Sequence, residues 1–175
     1  VTVSGYVNPT KIDSPDHAIE YLGDDDDFIV NSSPSNVLLV NGMGGVKSTT
    51  KRENIYKRYK KAGYHFATVI HPHSIIAQDV VIGEGCQVMA GVVIQPGSRF
   101  GENIIINTRA GIDHDCVIGS HAHISINSTL AGSVHVGERV YVGASATVIQ
   151  GVKIGLGGVV GAGAVVISDV ESGAD

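Results

Sequence analysis

Tryptophan is absent, and aromatic residues make up only 5% of the 175 positions, so aliphatic side chains must supply the core. Two cysteines are too few for a disulfide framework. Cys86 and Cys116 read instead as packed thiols, which fits a cytoplasmic location where thiols stay reduced. Positive charge is short as well: 12 Lys and Arg against 17 Asp and Glu give a net charge of −5. With no basic stripe, non-specific nucleic-acid binding is disfavoured. No uninterrupted apolar run approaches the roughly 18 residues needed to cross a bilayer, and no secretory signal pattern is visible. Charged residues are few overall at 17%, and mean hydropathy is +0.17.

What the chain has in quantity is periodic. From Ile70 to Val166 every sixth residue is large and apolar: Ile70, Ile76, Ile82, Val88, Ile94, Phe100 and onward without a miss. A small or β-branched residue stands two positions earlier in most hexads, as at Ser74, Val80, Cys86, Val92, Ser98, Ala110, Cys116 and Ala122. Glycine often follows the apolar position, as at Gly83, Gly101, Gly119, Gly137 and Gly155. Period six matches neither the 3.6 of a helix nor the 2 of a plain strand. It is the signature of a hexapeptide-repeat parallel β-helix.

Each hexad then supplies a short strand and a turn, and three hexads close one triangular coil of about eighteen residues. Neighbouring coils pair as parallel strands about 4.8 Å apart. Each inward residue stacks on those eighteen before and after it. The unbroken register allows between five and six coils, each stabilised mainly by its neighbours.

Residues 1–69 read differently, as a small α/β Rossmann-like domain that precedes the solenoid of residues 70–175. Val1 to Val7 alternates like a strand. Ser14 and Pro15 are suited to start a helix with Ile19 and Leu22 on its apolar face and Gly23 as its stop. Asp24 to Asp27 reads as a solvated loop. Phe28–Val30 and Val37–Val40 read as short buried strands. Thr50 and Glu53 can form a capping box for a helix that buries Ile55, Tyr56, Tyr59 and Ala62 and stops at Gly63. Gly42, Gly44, Gly45, Lys47 and Ser48 suggest a phosphate loop, but Val46 stands where that motif requires glycine before lysine. A glycine-rich turn that approaches a ligand is the more modest reading.

A β-helix has little concave surface, so chemistry must come from corner residues. His114 lies two residues past the inward Ile112, at a corner, and Asp115 follows it. Eighteen-residue stacking places Gly132 above His114, where a backbone N–H is unshielded by any Cβ. A base, a carboxylate that raises its basicity, and an oxyanion donor are what acyl transfer from a thioester requires. The bland alternative is a surface histidine in a turn. His71 and His73 read as structural residues at the solenoid entrance, His121 as a turn residue and His135 as solvated. Asn107 lies on an outward face just before the corner and is a candidate substrate contact.

Several stretches together carry a specific resemblance: Val69-Ile-His-Pro-His-Ser74, Asn107-Thr-Arg-Ala-Gly-Ile-Asp-His-Asp-Cys-Val-Ile-Gly119, His123-Ile, Leu130-Ala-Gly132 and Gly161-Ala-Gly-Ala-Val-Val166. In these, residues 66–170 resemble the bacterial sugar O-/N-acetyltransferases of the left-handed β-helix superfamily. The nearest in pattern are the sialic acid O-acetyltransferases and the N-acetyltransferases of nucleotide-linked 4-aminosugars. Residues 1–69 resemble the back half of that family's nucleotide-sugar-binding domain, and the domain is expected to lack its first strand and glycine-rich turn.

The resemblance implies acetyl-CoA as co-substrate, no metal, and direct transfer to a sugar amine or hydroxyl. It implies His114 as general base, Asp115 as the acid that tunes it, and the Gly132 N–H as oxyanion donor. It places His123, Ala144 and Ala162 on the cofactor, and Asn8 and Gly42 near the nucleotide-sugar. Asn8 departs from the Asp that relatives often carry. It further implies a homotrimer with active sites between neighbouring solenoids. Two other classes stay open on the residues alone. A zinc enzyme of the γ-carbonic-anhydrase type would recruit His114, His121, His123 or His135, and a non-catalytic scaffold would need none of them.

Overall fold

An extended chain that must turn every six residues needs a hinge residue in each turn, and the computed structural model shows where it falls. The structure describes residues 3–12 and 19–175. From residue 85 to residue 163, every sixth residue has a positive φ, between 54° and 77°. Six of these fourteen hinges are glycine, three at each end of the series. The eight between them, Asn103, Arg109, Asp115, His121, Asn127, Ser133, Arg139 and Ser145, are not. Left-handed backbone costs a residue with a Cβ about 1 kcal/mol. The central coils therefore carry side chains at hinges where glycine would be easier.

Between hinges run two-residue strands in three parallel sheets, the faces of a left-handed triangular β-helix. The first face runs from Val81–Ile82 to Lys153–Ile154, the second from Val69–Ile70 to Val159–Val160, and the third from Ile75–Ile76 to Val165–Val166. Register is eighteen residues throughout, as in Ile106 beside Ile124 and Ile112 beside Leu130. The hexad residues form one core from Val88 to Val160, and the small residues two positions earlier close it: Cys86, Cys116, Ala122 and Ala146 are fully buried. Ile70, in the first coil, is 49% exposed because nothing stacks below it.

The N-terminal domain has two separate parallel pairs. Strand β1 (Gly5–Tyr6) pairs with β2 (Glu20–Tyr21), and β3 (Leu38–Leu39) pairs with β4 (His65–Phe66). Helix α1 (Asp25–Asn31) and helix α2 (Thr50–Lys61) pack Phe28, Tyr56 and Tyr59 against Tyr64 and Phe66. Several expectations are corrected here. Asp24–Asp27 is not a loop and Phe28–Val30 is not a strand. Asp24 caps α1 by accepting the Asp27 N–H (2.9 Å), and the acids that follow suit the positive end of a helix. Partners distant in sequence hold it: Tyr59 donates to Asp25 (2.8 Å), and Arg58 pairs with Asp26. The helix expected from Ser14 falls partly on residues 13–18, outside the described residues; beyond them Glu20–Tyr21 is a strand. The strand expected over Val1–Val7 is confined to Gly5–Tyr6 among the described residues. No Thr50–Glu53 capping box forms, because Thr49 precedes α2 without a side-chain cap, and Glu53 turns to Lys57 (2.5 Å) and Arg139 (3.8 Å). Gly63, at φ 89°, ends the helix as expected.

Arg52 joins the two parts. It is fully buried and donates to the carbonyls of Asn41 (2.6 Å), Met43 (2.9 Å), Asn103 (3.2 Å) and Gly85 (3.4 Å). Burial draws its guanidinium down to about 10. Asn41 and Asn103 bond each other (3.2 Å), Gln87 donates to the Asn41 carbonyl (2.7 Å), and Tyr56 sets its ring on the edge of His121. The domain thus covers the second face and the corner that leads into it. Among the described residues, no helix is long and apolar enough to cross a membrane. Arg52→Met leaves the carbonyls of Met43, Gly85 and Asn103 short of a donor, while that of Asn41 keeps Gln87, and is expected to cost about 2–4 kcal/mol. Urea unfolding measures the loss, and hydrogen exchange should place it in α2 and the 41–45 segment.

Candidate active site

The turn at residues 113–116 leads from the third face to the first and is fixed from both sides. Asp115 N–H donates to the Pro96 carbonyl of the coil below (3.0 Å), and Ser133 N–H of the coil above donates to the His114 carbonyl (2.8 Å). Asp113 accepts the His114 N–H (2.8 Å), and the Ser98 hydroxyl donates to the Asp113 carbonyl (2.9 Å). On this frame His114 Nδ1 lies 2.8 Å from Asp115 Oδ2. That contact holds the proton on Nδ1 and leaves the Nε2 lone pair to act as base. The Asp115 hydrogen bond, with the charge of Asp113 and Asp115 behind it, raises the His114 pKa, against a smaller opposing effect of partial burial.

Gly132 stands over the imidazole as the register requires. A Cβ there would lie 2.6 Å from Nε2 and 2.7 Å from Cε1, so any larger residue would press on the basic nitrogen. Gly132 N–H has no hydrogen-bond partner among the described residues. The exposed imidazole and the unused N–H of the buried Gly132 thus lie in neighbouring coils of one corner, groups of the kind that remove a proton from a nucleophile and receive an oxyanion.

The other expected residues fall into three further places. Asn8 and Gly42 both line a cavity of about 1570 Å³ in the N-terminal domain, between β1 and β3. Ala144 and Ala162 stack in successive coils, with Gly163 N–H donating to the Ala144 carbonyl (2.8 Å), at the corner between the second and third faces. Asn107 Nδ2 lies 3.4 Å from His123 Nε2. His123 is on the second face, the side of the triangle opposite the His114 corner. It is 6% exposed and edge-on to Tyr141, with the Gly45 backbone beside it, and among the described residues its Nδ1 makes no well-formed hydrogen bond. Burial, helped by the charge of Arg52, pulls its pKa down to about 4. His121 is buried too, bonded to Asn103 (3.0 Å), and burial lowers its pKa. His135 is exposed, as expected. His71 and His73 pack edge to face at the entrance. Among the described residues, no three His, Cys, Asp or Glu side chains converge as a metal-binding group. One chain therefore gathers His114, Asp115 and Gly132, but not the rest around them.

Comparison with known proteins bears on the chain's fold and family. The bacterial transferase hexapeptide (six repeats) model matches residues 115–150, and the hexapeptide repeat of succinyl-transferase model matches residues 133–168. The acetyltransferase domain of PglB from Neisseria gonorrhoeae, solved with acetyl coenzyme A, superposes with a TM-score of 0.87 at 28% identity, covering 97% of this chain and 80% of that one. PerB from Caulobacter crescentus, in complex with CoA and GDP-perosamine, gives 0.78 at 36% identity over 88% and 73%. The chain belongs to the hexapeptide-repeat transferases. A curated relative, the bifunctional protein GlmU of Heliobacterium modesticaldum, is 38% identical over 42% of this chain. The chain spans 17% of that relative, and about a quarter of the acyltransferases it also matches.

Asp113 of the turn, Gly97 directly beneath Asp115, and Arg52 of the joint between the two parts went unremarked in the sequence. The signal for Gly97 was there, as a second glycine series two residues past the one that follows each hexad residue. Two consequences are measurable. In the folded protein, Asp115→Asn should lower the His114 pKa, read from its imidazole ¹H–¹³C shifts against pH. For His123, folding holds the pKa below its ordinary ~6.5. The unfolded chain then takes up more protons between pH 6.5 and about 4, so stability falls as pH drops through that window. The loss reaches roughly 3 kcal/mol at the acid end. His123→Gln should flatten the urea-midpoint profile there, leaving the smaller slope of His121.

Proposed function

We propose that the protein is an acetyl-CoA-dependent acetyltransferase whose acceptor is the amine of a nucleotide-linked amino-deoxysugar. The observation that carries this reading is the corner where His114, oriented by Asp115, lies under the unbonded N–H of Gly132. The likeness to PglB with acetyl coenzyme A and to PerB with CoA and GDP-perosamine supplies the substrate class. His114 Nε2 removes the proton as the amine attacks the thioester carbonyl. The Gly132 N–H takes the oxyanion, and coenzyme A leaves as the thiol once protonated. Asn8 and Gly42 hold the nucleotide-sugar in the N-terminal cavity. Asn107 contacts the acceptor sugar, and His123, Ala144 and Ala162 serve the acetyl-CoA side.

The working form is a homotrimer with sites between subunits. Support comes from the separation within one chain. His114 occupies the corner opposite the face covered by the N-terminal domain, so a second copy can bring acceptor-binding and cofactor surfaces to it. Ile75 on the first strand of the third face and Val165 on its last also leave the two ends of that face apolar and exposed, at 69% and 66%. A sialic acid acceptor is the second reading within the same mechanism, because the His114 corner would activate a hydroxyl as readily as an amine.

The test is thiol release from acetyl-CoA against UDP- and GDP-linked aminosugars and free sialic acid. Turnover on an aminosugar that falls by about 10³-fold in His114→Ala, and less in Asp115→Asn, is the expected result. No turnover on any acceptor from folded protein would overturn the proposal.

A further inference from the structure

The dyad is bounded by a different glycine on each side. Gly132, one coil above, leaves room for the His114 ring. One coil below, Gly97 lies under Asp115 in the same column of hinges. A Cβ on Gly97 would fall on Asp115 Oδ1, well inside van der Waals contact, and within 3.2 Å of Cγ. The backbone cannot slide away from this, because Gly97 N–H donates to Asp79 Oδ2 (2.8 Å) and Asp115 N–H is bonded to the Pro96 carbonyl (3.0 Å). Nor is the glycine explained by its positive φ alone, since the next eight hinges take positive φ of 54° to 64° with side chains.

We infer that Gly97 is a positioning residue for the His114–Asp115 dyad, its missing side chain being the space in which the Asp115 carboxylate sits while Oδ2 holds His114 Nδ1. The inference rests on the proposed roles of His114 and Asp115 only where turnover is concerned; the geometry is independent of it. A methyl group at Gly97 forces the carboxylate to rotate off the plane of the imidazole. The hydrogen bond lengthens, and the imidazolium loses its main stabiliser. The charged groups about the imidazole are Asp113 and Asp115 of its own turn. The coil above presents Gly132 and Ser133, and the coil below presents Pro96 and Gly97, with Asp79 one coil further down.

Gly151 provides the control. It occupies the same column of hinges three coils on, with φ 74° and, among the described residues other than its two chain neighbours, no atom within 4 Å of where its Cβ would be. Gly151→Ala therefore carries the backbone strain without the clash. The His114 pKa is read by imidazole ¹H–¹³C shifts in the wild type, Gly97→Ala, Gly151→Ala, Asp115→Gly and the double variant Gly97→Ala/Asp115→Gly.

The expected result is a fall of about one unit in Gly97→Ala, none in Gly151→Ala, and no effect of Gly97→Ala once Asp115 is glycine. Turnover, where the acetyltransferase reading holds, falls about 10- to 100-fold in kcat for Gly97→Ala with KM for acetyl-CoA unchanged. A wild-type titration in Gly97→Ala, an equal shift in Gly151→Ala, or an additive effect in the double variant overturns the inference. If Gly97→Ala fails to fold, recovery of folding in the double variant upholds it and continued failure overturns it. An enzyme inactive on every acceptor, with the titration pattern intact, would sink the proposed reaction and leave the role of Gly97 standing.

Discussion

The eighteen-residue register is the constraint on which the rest of the structure depends. Because the backbone turns through a left-handed hinge every sixth residue, each position lies between two others known in advance. Parallel pairing then fixes spacing to that of neighbouring strands. The inward column closes over itself as a continuous aliphatic core, and stability propagates from coil to coil. A hinge side chain cannot retreat inward, so it must be used outside or borne as strain.

The hinges show this use at two of the three corners. Asn103, His121 and Arg139 fall in one column, and each meets the N-terminal domain: Asn41 and Arg52 at the first, Tyr56 at the second, Thr49 and Glu53 at the third. Asp115 occupies another column and holds His114. The side-chain contacts among these, Asn103 with Asn41, His121 with Tyr56 and Arg139 with Glu53, are ones glycine could not make, and they offset the strain at these hinges. Docking of a domain and orientation of the His114 imidazole are the same structural device applied at different corners.

The solenoid was legible because its period is written in the chain residue by residue. Inward stacking of Ile106 on Ile124, the adjacency of His114 and Asp115, and the place of Gly132 above them all follow from counting. The N-terminal domain was not, because its elements depend on partners far away in sequence. Asp25 and Asp26 become helical while held by Tyr59 and Arg58, and nothing in four consecutive acids announces that. Arg52 looks like one more surface cation of a basic helix; only the carbonyls of Asn41, Met43, Gly85 and Asn103 make it a buried joint. His123 has the spacing of an outward residue, which it is, but the domain packed over that face removes it from water. Gly97 was overlooked for another reason: an abundant residue type hides a positional requirement.

Columns of this kind also set the grain of permissible change. Loss or gain of one complete coil, eighteen residues, would preserve every inward contact and every corner, because the chain re-enters with the same phase. Insertion of a single residue would rotate the whole downstream pattern by one place, sending inward side chains toward water and scattering all three corners. The span from Gly97 to Gly132 is narrower still, since its three layers are not interchangeable: one clears space, one carries the dyad, one covers it. In a solenoid of this register, length can therefore change without loss of phase only in whole coils, and only outside the layers that hold His114.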